Sequence, residues 1–279
     1  MTETTQRVTE HYARGNLGAA ILAALRGAGI DPDALSPADL VPLDQFHAGG
    51  LVATVQLAEL AGVAGLGAGR HLLDVGCGIG GPARHLAAEF GCRVTGIDLT
   101  EEYCRVAAML AARTGLSGLV GYRHGDALAM PFADASFDLV WTQHASMNIA
   151  DKDGLLAEMH RVLKPGGRLA LYDILAGPGG PPHFPVPWAR APEISFLDLP
   201  EALRARLEAL GLDILAWRDV TEPVTDWART TRARVAEHGP PALGLHLIMG
   251  PDWGEMFANV ARNLEEGRIV LYQAVARKA

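Results

Sequence analysis

Cysteine is scarce in this chain. Three residues, Cys77, Cys92 and Cys104, stand among 279. So small and odd a number argues against a disulfide framework and for a reduced, cytoplasmic setting. None of the three stands with histidine at zinc-finger spacing, so no metal site is expected. Basic residues are also short, with Lys plus Arg at 24 against 32 Asp plus Glu, a net charge of −8 and no basic run. That balance argues against general nucleic-acid or anionic-membrane binding. Long apolar runs are missing too: glycine or charge breaks each one well before the roughly 20 residues of a membrane span. Residues 1–10 are polar and lack the apolar stretch of a secretion signal. What remains is 49 % hydrophobic and 20 % charged, which is enough for a large core. The expected partner is a small molecule.

Helical apolar spacing at 18–26 and 51–60, with Asp31-Pro32 and Ser36-Pro37 as turns between, makes residues 1–68 a helical cap. The pattern then changes. Short apolar runs at 71–75, 93–97, 120–124, 137–142 and 167–174 alternate with helices at 82–90, 101–114 and 155–163. This alternation marks βαβ units and a parallel sheet, so 69–279 reads as an α/β core. After a helix at 200–210, two last strands are expected at 212–220 and 268–277. Insertions near 176–198, rich in proline and glycine, and near 221–266, with helices at 226–237 and 253–265, are expected to form a lid.

The sharpest motif is Leu72-Leu73-Asp74-Val75-Gly76-Cys77-Gly78-Ile79-Gly80-Gly81, a strand feeding a glycine turn that opens a helix. Such a turn lets a ligand approach the backbone and offers free N–H groups. Gly76, Gly78 and Gly81 also satisfy G-x-G-x-x-G, so a nicotinamide-dependent oxidoreductase stays open at this point. Asp98 ends the second strand, with Leu99 beside it, where a carboxylate can accept from both hydroxyls of a ribose; the alternative is a cap on the next helix. Asp126-Ala127 follows the third strand and can read the polar edge of adenine, or simply form a turn. Leu163-Lys164-Pro165-Gly166-Gly167 delivers the chain into strand five.

In this order, from about residue 69 to 173, these elements resemble the class I S-adenosylmethionine-dependent methyltransferases. The resemblance implies a Rossmann-like seven-stranded sheet with an antiparallel final strand. It also implies S-adenosylmethionine bound by Asp74, Gly76, Gly78, Gly80, Asp98, Leu99, Asp126, Ala127 and Gln143. The acidic Asp74 suits a ligand with positive charge better than a pyrophosphate. The segment Asp44-Gln45-Phe46-His47-Ala48-Gly49-Gly50 is similar to the entry motif of small-molecule branches such as the sarcosine/dimethylglycine and tocopherol types. That likeness makes Gln45 a further cofactor contact and an amine nitrogen the first expectation for the acceptor, with a hydroxyl oxygen or activated carbon next.

Methyl transfer is an in-line displacement, and a base is needed only where the acceptor carries its proton. His144, just past the fourth strand, is the expected catalytic base, the alternative being a packing role. Tyr12, His47, Asn148, His183, Trp188 and His246 are the candidate substrate contacts, placed on the cap, the loop after strand five and the lid. Phe46, Trp141, Phe184 and Trp188 give the expected pocket an apolar tone. The arginine-rich stretch 229–234 reads as a solvated face. A protein that binds the cofactor on this fold without transferring methyl is the second rival.

Overall fold

Period-two alternation decides which strand side chains meet on each face of the sheet, and it sorts the site residues here. In the computed structural model, which describes residues 3–44 and 47–279, seven strands form one sheet in the order β3-β2-β1-β4-β5-β7-β6. They are β1 (His71–Val75), β2 (Arg93–Asp98), β3 (Val120–His124), β4 (Phe137–Gln143), β5 (Leu163–Ala176), β6 (Leu212–Asp219) and β7 (Ile269–Lys278). Pairing is parallel from β3 to β5, and β7 runs antiparallel to both β5 and β6. Strand order reverses between β1 and β4, where α/β sheets bind ligands at their carboxyl ends.

One face of the sheet carries Leu72, Leu139, Trp141, Ala170, Tyr172 and Ile174 in a single apolar cluster. By the same alternation Asp74 and Gln143 belong to this face. It packs against α4 (Gly50–Leu60) through Ala53 and Leu57, and against α9 (Thr221–His238) and α11 (Trp253–Glu265) through Val224 and Leu264. The opposite face, with Leu73, Val75, Val140, Leu169 and Leu171, is covered by α7 (Lys152–Val162) and α8 (Pro200–Ala209). A third cluster joins α2 (Leu17–Gly27) to α6 (Glu101–Arg113) and to α10 (His246–Met249). The N-terminal helix α4 and the late helices α9 and α11 thus lie on the face that bears Asp74.

α1 (Glu3–Tyr12) is too polar for a periodic signal, since only Val8 and His11 are buried. α3 (Pro37–Asp44) opens on the proline that reads as a breaker, but proline is tolerated in a first turn, where the missing N–H has no helical partner. The turn at 163–167 lies inside β5 as an irregularity opposite Phe137 and Leu139, and α7 ends one residue earlier than the periodicity suggests. α5 (Gly81–Phe90) follows the glycine turn. No described helix is long and apolar enough to cross a membrane.

Candidate active site

The glycine turn is a backbone device. Gly76, Gly78 and Gly80 all have positive φ, at 73°, 53° and 81°. A Cβ on Gly76 would collide with Ala145, the neighbour of His144, and a Cβ on Gly80 would enter the Tyr122 ring. The turn is therefore fitted against both the β4 loop and β3. Cys77 fills the space over Gly96, where a Cβ would meet its sulfur at 2.6 Å. Contact with Cys104 and burial push the Cys77 thiol well above its ordinary range, so it is filler and not a nucleophile.

Two carboxylates flank this turn. Asp98 accepts from the Gly78 N–H and the Thr100 N–H, each at 2.8 Å. Burial raises the Asp98 carboxyl and these two donors oppose the rise. The helix-entry contact to Thr100 is present, and each carboxylate oxygen keeps accepting capacity. Asp74 is 2 % exposed, and its Oδ2 has no hydrogen-bond partner. Burial first, and then the charge of Asp98, push its carboxyl up to about 7. A buried carboxylate oxygen without a donor is costly and calls for a cationic or N–H ligand group. Leu99 O accepts from His124 Nε2 at 3.1 Å, and Asp126 Oδ1 caps its own turn through the Leu128 N–H at 2.9 Å. Gln45 and Phe46 lie outside the described residues.

Gln143 and His47 are joined by a chain whose proton directions can be read. The Trp141 indole N–H donates to Gln143 Oε1 at 3.0 Å, and an indole nitrogen is only a donor, so this atom is the amide oxygen. Thr54 therefore gives its hydroxyl proton to the same oxygen, at 3.2 Å, and must accept from His47 Nε2 at 2.9 Å. Through this chain His47 donates from Nε2, while its Nδ1 lies 3.5 Å from Ala48 O. Burial takes His47 down to about 4, so it is neutral at ordinary pH. Gln143 Nε2 is buried without a partner. Thr54 carries no motif that would single it out in the sequence.

His144 departs from β4 with φ of 50°, and its N–H donates to Tyr172 O at 2.8 Å. A left-handed conformation costs a non-glycine residue on the order of 1–2 kcal/mol. Strain of this kind persists where surroundings fix it, often at functional sites. The ring lies 4.7 Å from that of Tyr172 and 6.0 Å from that of His47, centroid to centroid. Its Nε2 is buried without a partner. Burial, then the neighbouring His47, hold His144 well below the usual imidazole range, so the ring is neutral. Below it, Asp173 accepts from the Ser146 N–H at 3.2 Å and Lys152 donates to Ile149 O at 2.7 Å, fixing the loop that bears His144.

A cavity of about 980 Å³ opens beside His144, between the sheet, cap and lid. Of the candidate substrate contacts, Tyr12, His47, Trp188 and His246 line it. Asn148 braces it: Tyr12 donates to its Oδ1 at 2.8 Å, and its Nδ2 holds Trp188 O and Ile194 O at 2.6 and 2.9 Å. With its polar groups spent this way, Asn148 positions Tyr12 and Trp188. His183 lies elsewhere. Its backbone N–H donates to Asn263 Oδ1 at 2.7 Å and its ring meets Glu266 at 2.8 Å, so it pins the loop after β5 to α11. The stretch 229–234 also departs from a purely solvated face, since Arg232 and Arg234 line the cavity. The usable signal was the apolar spacing Val224, Trp227, Ala228, Thr231 and Val235 on α9. No described aspartate or glutamate lines the cavity. No group of three metal-ligating side chains occurs among the described residues.

Residues 73–171 match the family described as "Methyltransferase domain". Methyltransferase GfsG of Streptomyces halstedii is 39 % identical over 133 residues, 48 % of this chain and 47 % of that protein. The 27-O-demethylrifamycin SV methyltransferase of Amycolatopsis mediterranei is 40 % identical over 127 residues, 45 % of this chain and 47 % of the relative. The matches to these two curated relatives thus span just under half of their length. Among solved structures, the [4+2]-cyclase SpnF superposes with a TM-score of 0.71 at 27 % identity, over 99 % of this chain and 97 % of that one. The matched segment is a class I S-adenosylmethionine-dependent methyltransferase domain.

Proposed function

We propose that the protein transfers a methyl group from S-adenosylmethionine to a hydroxyl oxygen of a sizeable apolar metabolite, leaving S-adenosylhomocysteine. The residues present suit the donor. The unpartnered Asp74 oxygen offers a counter-charge for its ammonium, Asp98 offers acceptors for its ribose, and the positive-φ turn lets its backbone-facing atoms approach. When bound, the donor supplies an activated methyl on a sulfonium, and the protein contributes alignment and exclusion of water.

The observation that carries the acceptor assignment is the cavity. It is lined by no described carboxylate and opens onto a neutral histidine whose Nε2 has no partner. A protonated amine would enter without a counter-charge, which weighs against the amine nitrogen expected first. His144 takes the hydroxyl proton as the oxygen–methyl bond forms and the methyl–sulfur bond breaks. Its depressed basicity matches an acidic hydroxyl, phenolic or enolic, better than an aliphatic alcohol. His47, held in one tautomer by Thr54, keeps a second neutral ring beside it.

Release of S-adenosylhomocysteine from matched phenols and amines of similar size tests this reading. Turnover with phenols that falls in His144→Gln supports it, and turnover confined to amines overturns it. A second reading rests on the full-length likeness to a protein described as a [4+2]-cyclase. On that reading the cofactor binds and the cavity shapes a reaction with no methyl transfer. Its signature is a thermal shift with S-adenosylmethionine and no S-adenosylhomocysteine from any acceptor.

A further inference from the structure

The charge on the cavity's rim is of one sign. α9 carries three arginines. Arg229 does not line the cavity and is ion-paired with Asp226 at 2.7 Å. Arg232 and Arg234 line the cavity and are exposed, and their guanidinium groups make no hydrogen bond or ion pair with any described residue; the Arg234 carbonyl is bonded by the His238 ring at 3.3 Å. His238 follows on the same rim. The deep wall differs: Trp188, Met249 and Leu264 are 2, 3 and 5 % exposed. An acidic chain, net −8, thus presents free cations at the mouth of an apolar chamber that no described carboxylate enters. Opposed charges at a cleft mouth steer and orient a ligand, and guanidinium groups suit oxyanions.

We propose that the ligand of this cavity is amphipathic: an apolar body that fills the chamber and an oxyanion at its far end, carboxylate or phosphate, held at the mouth by Arg232 and Arg234. The anion fixes which way round the body enters, and so which group reaches His144. This rests on the cavity being the acceptor site, but its test requires no turnover.

Trp188, Trp227 and Trp253 line the chamber and report binding by intrinsic fluorescence. The protein is titrated with dodecanoate, dodecyl phosphate and dodecanol, which share one apolar chain, and the Arg232→Gln/Arg234→Gln variant is titrated alongside. Both anions are expected to bind about tenfold tighter than the alcohol at low salt, with the margin shrinking as salt rises. In the double variant the anions drop to the alcohol's affinity, while the alcohol is unchanged. The ratio of dodecanoate to dodecyl phosphate tells which oxyanion fits. Equal affinity for anions and alcohol, a preference that survives the double substitution, or no binding of any of the three overturns the proposal. The methyl-transfer reading stands or falls separately, on S-adenosylhomocysteine release.

Discussion

At the glycine turn the ligand-facing groups are main chain and carboxylate, tied down by hydrogen bonds of 2.8 Å from Gly78 and Thr100. Beneath the N-terminal helices the walls are mostly side chains from α9 and α11, with α10 and the loop after β5 adding a few. The first region's geometry would be spoiled by a Cβ at Gly76, which would strike Ala145, or at Gly80, which would enter the Tyr122 ring. The second encloses volume and specifies little beyond apolarity and charge at its mouth. The first is built from backbone at the carboxyl end of the central strand β1, the second from side chains on inserted helices.

That division is testable by how separable its two halves are. The largest effect is expected at their junction. His144→Gln should lower turnover about 100-fold or more while leaving S-adenosylhomocysteine affinity within about twofold, measured by single-turnover kinetics and calorimetry. Equal losses in both would make His144 a structural residue of the β4 loop. Asp98→Ala should weaken S-adenosylmethionine binding about 10- to 100-fold, as lost hydrogen bonds to a charged group do, with acceptor binding nearly unchanged. Unaltered cofactor affinity would remove Asp98 from the site.

A pH titration sharpens the contrast further. Burial holds the Asp74 carboxyl up at about 7, so the free protein keeps it protonated below that value and ionised above it. A ligand ammonium prefers the ionised form. Cofactor affinity should therefore rise as pH climbs through about 7, with proton release on binding. The rise ends near pH 8, where an α-amino group loses its own charge. Asp74→Asn should flatten the profile. Stability of the free protein runs the other way, falling as pH rises from 3.8 towards 7, because the unfolded carboxyl ionises first. The smallest effect is expected from Trp227→Ala, a half-buried residue of the cavity wall. It should loosen acceptor binding several-fold, read as KM, with cofactor affinity untouched.

The same asymmetry governs what a sequence can disclose. Asp74, the three glycines and Asp98 are legible because their spacing is dictated by one strand, one turn and one helix start. The sheet is legible because its strands alternate with helices. His47 and Gln143 could be named but not joined, since the link runs through Thr54 on α4. His183 was misplaced in expectation because its partners, Asn263 and Glu266, lie 80 or more residues further on. Arg232 and Arg234 read as surface because an exposed helix flank and a cavity rim have the same local composition. Long-range packing decided each of these cases, and periodicity carries no record of it.

Asp219 on β6 pairs directly with Tyr272 on β7. Between these two neighbours the chain leaves the sheet, builds α9, α10 and α11, and returns to the point of departure. The ladder of the last two strands is thus indifferent to how much chain is spliced in. Closing a loop of twice the length costs only about 0.6 kcal/mol more. The lid is in effect a cassette clipped to a hairpin. It meets the rest of the molecule through Val224 and Leu264 on the sheet and through Ile248 and Met249 on the N-terminal helices. On this scaffold, new acceptors would come by replacing the cassette, not by redesigning the machine that reads it.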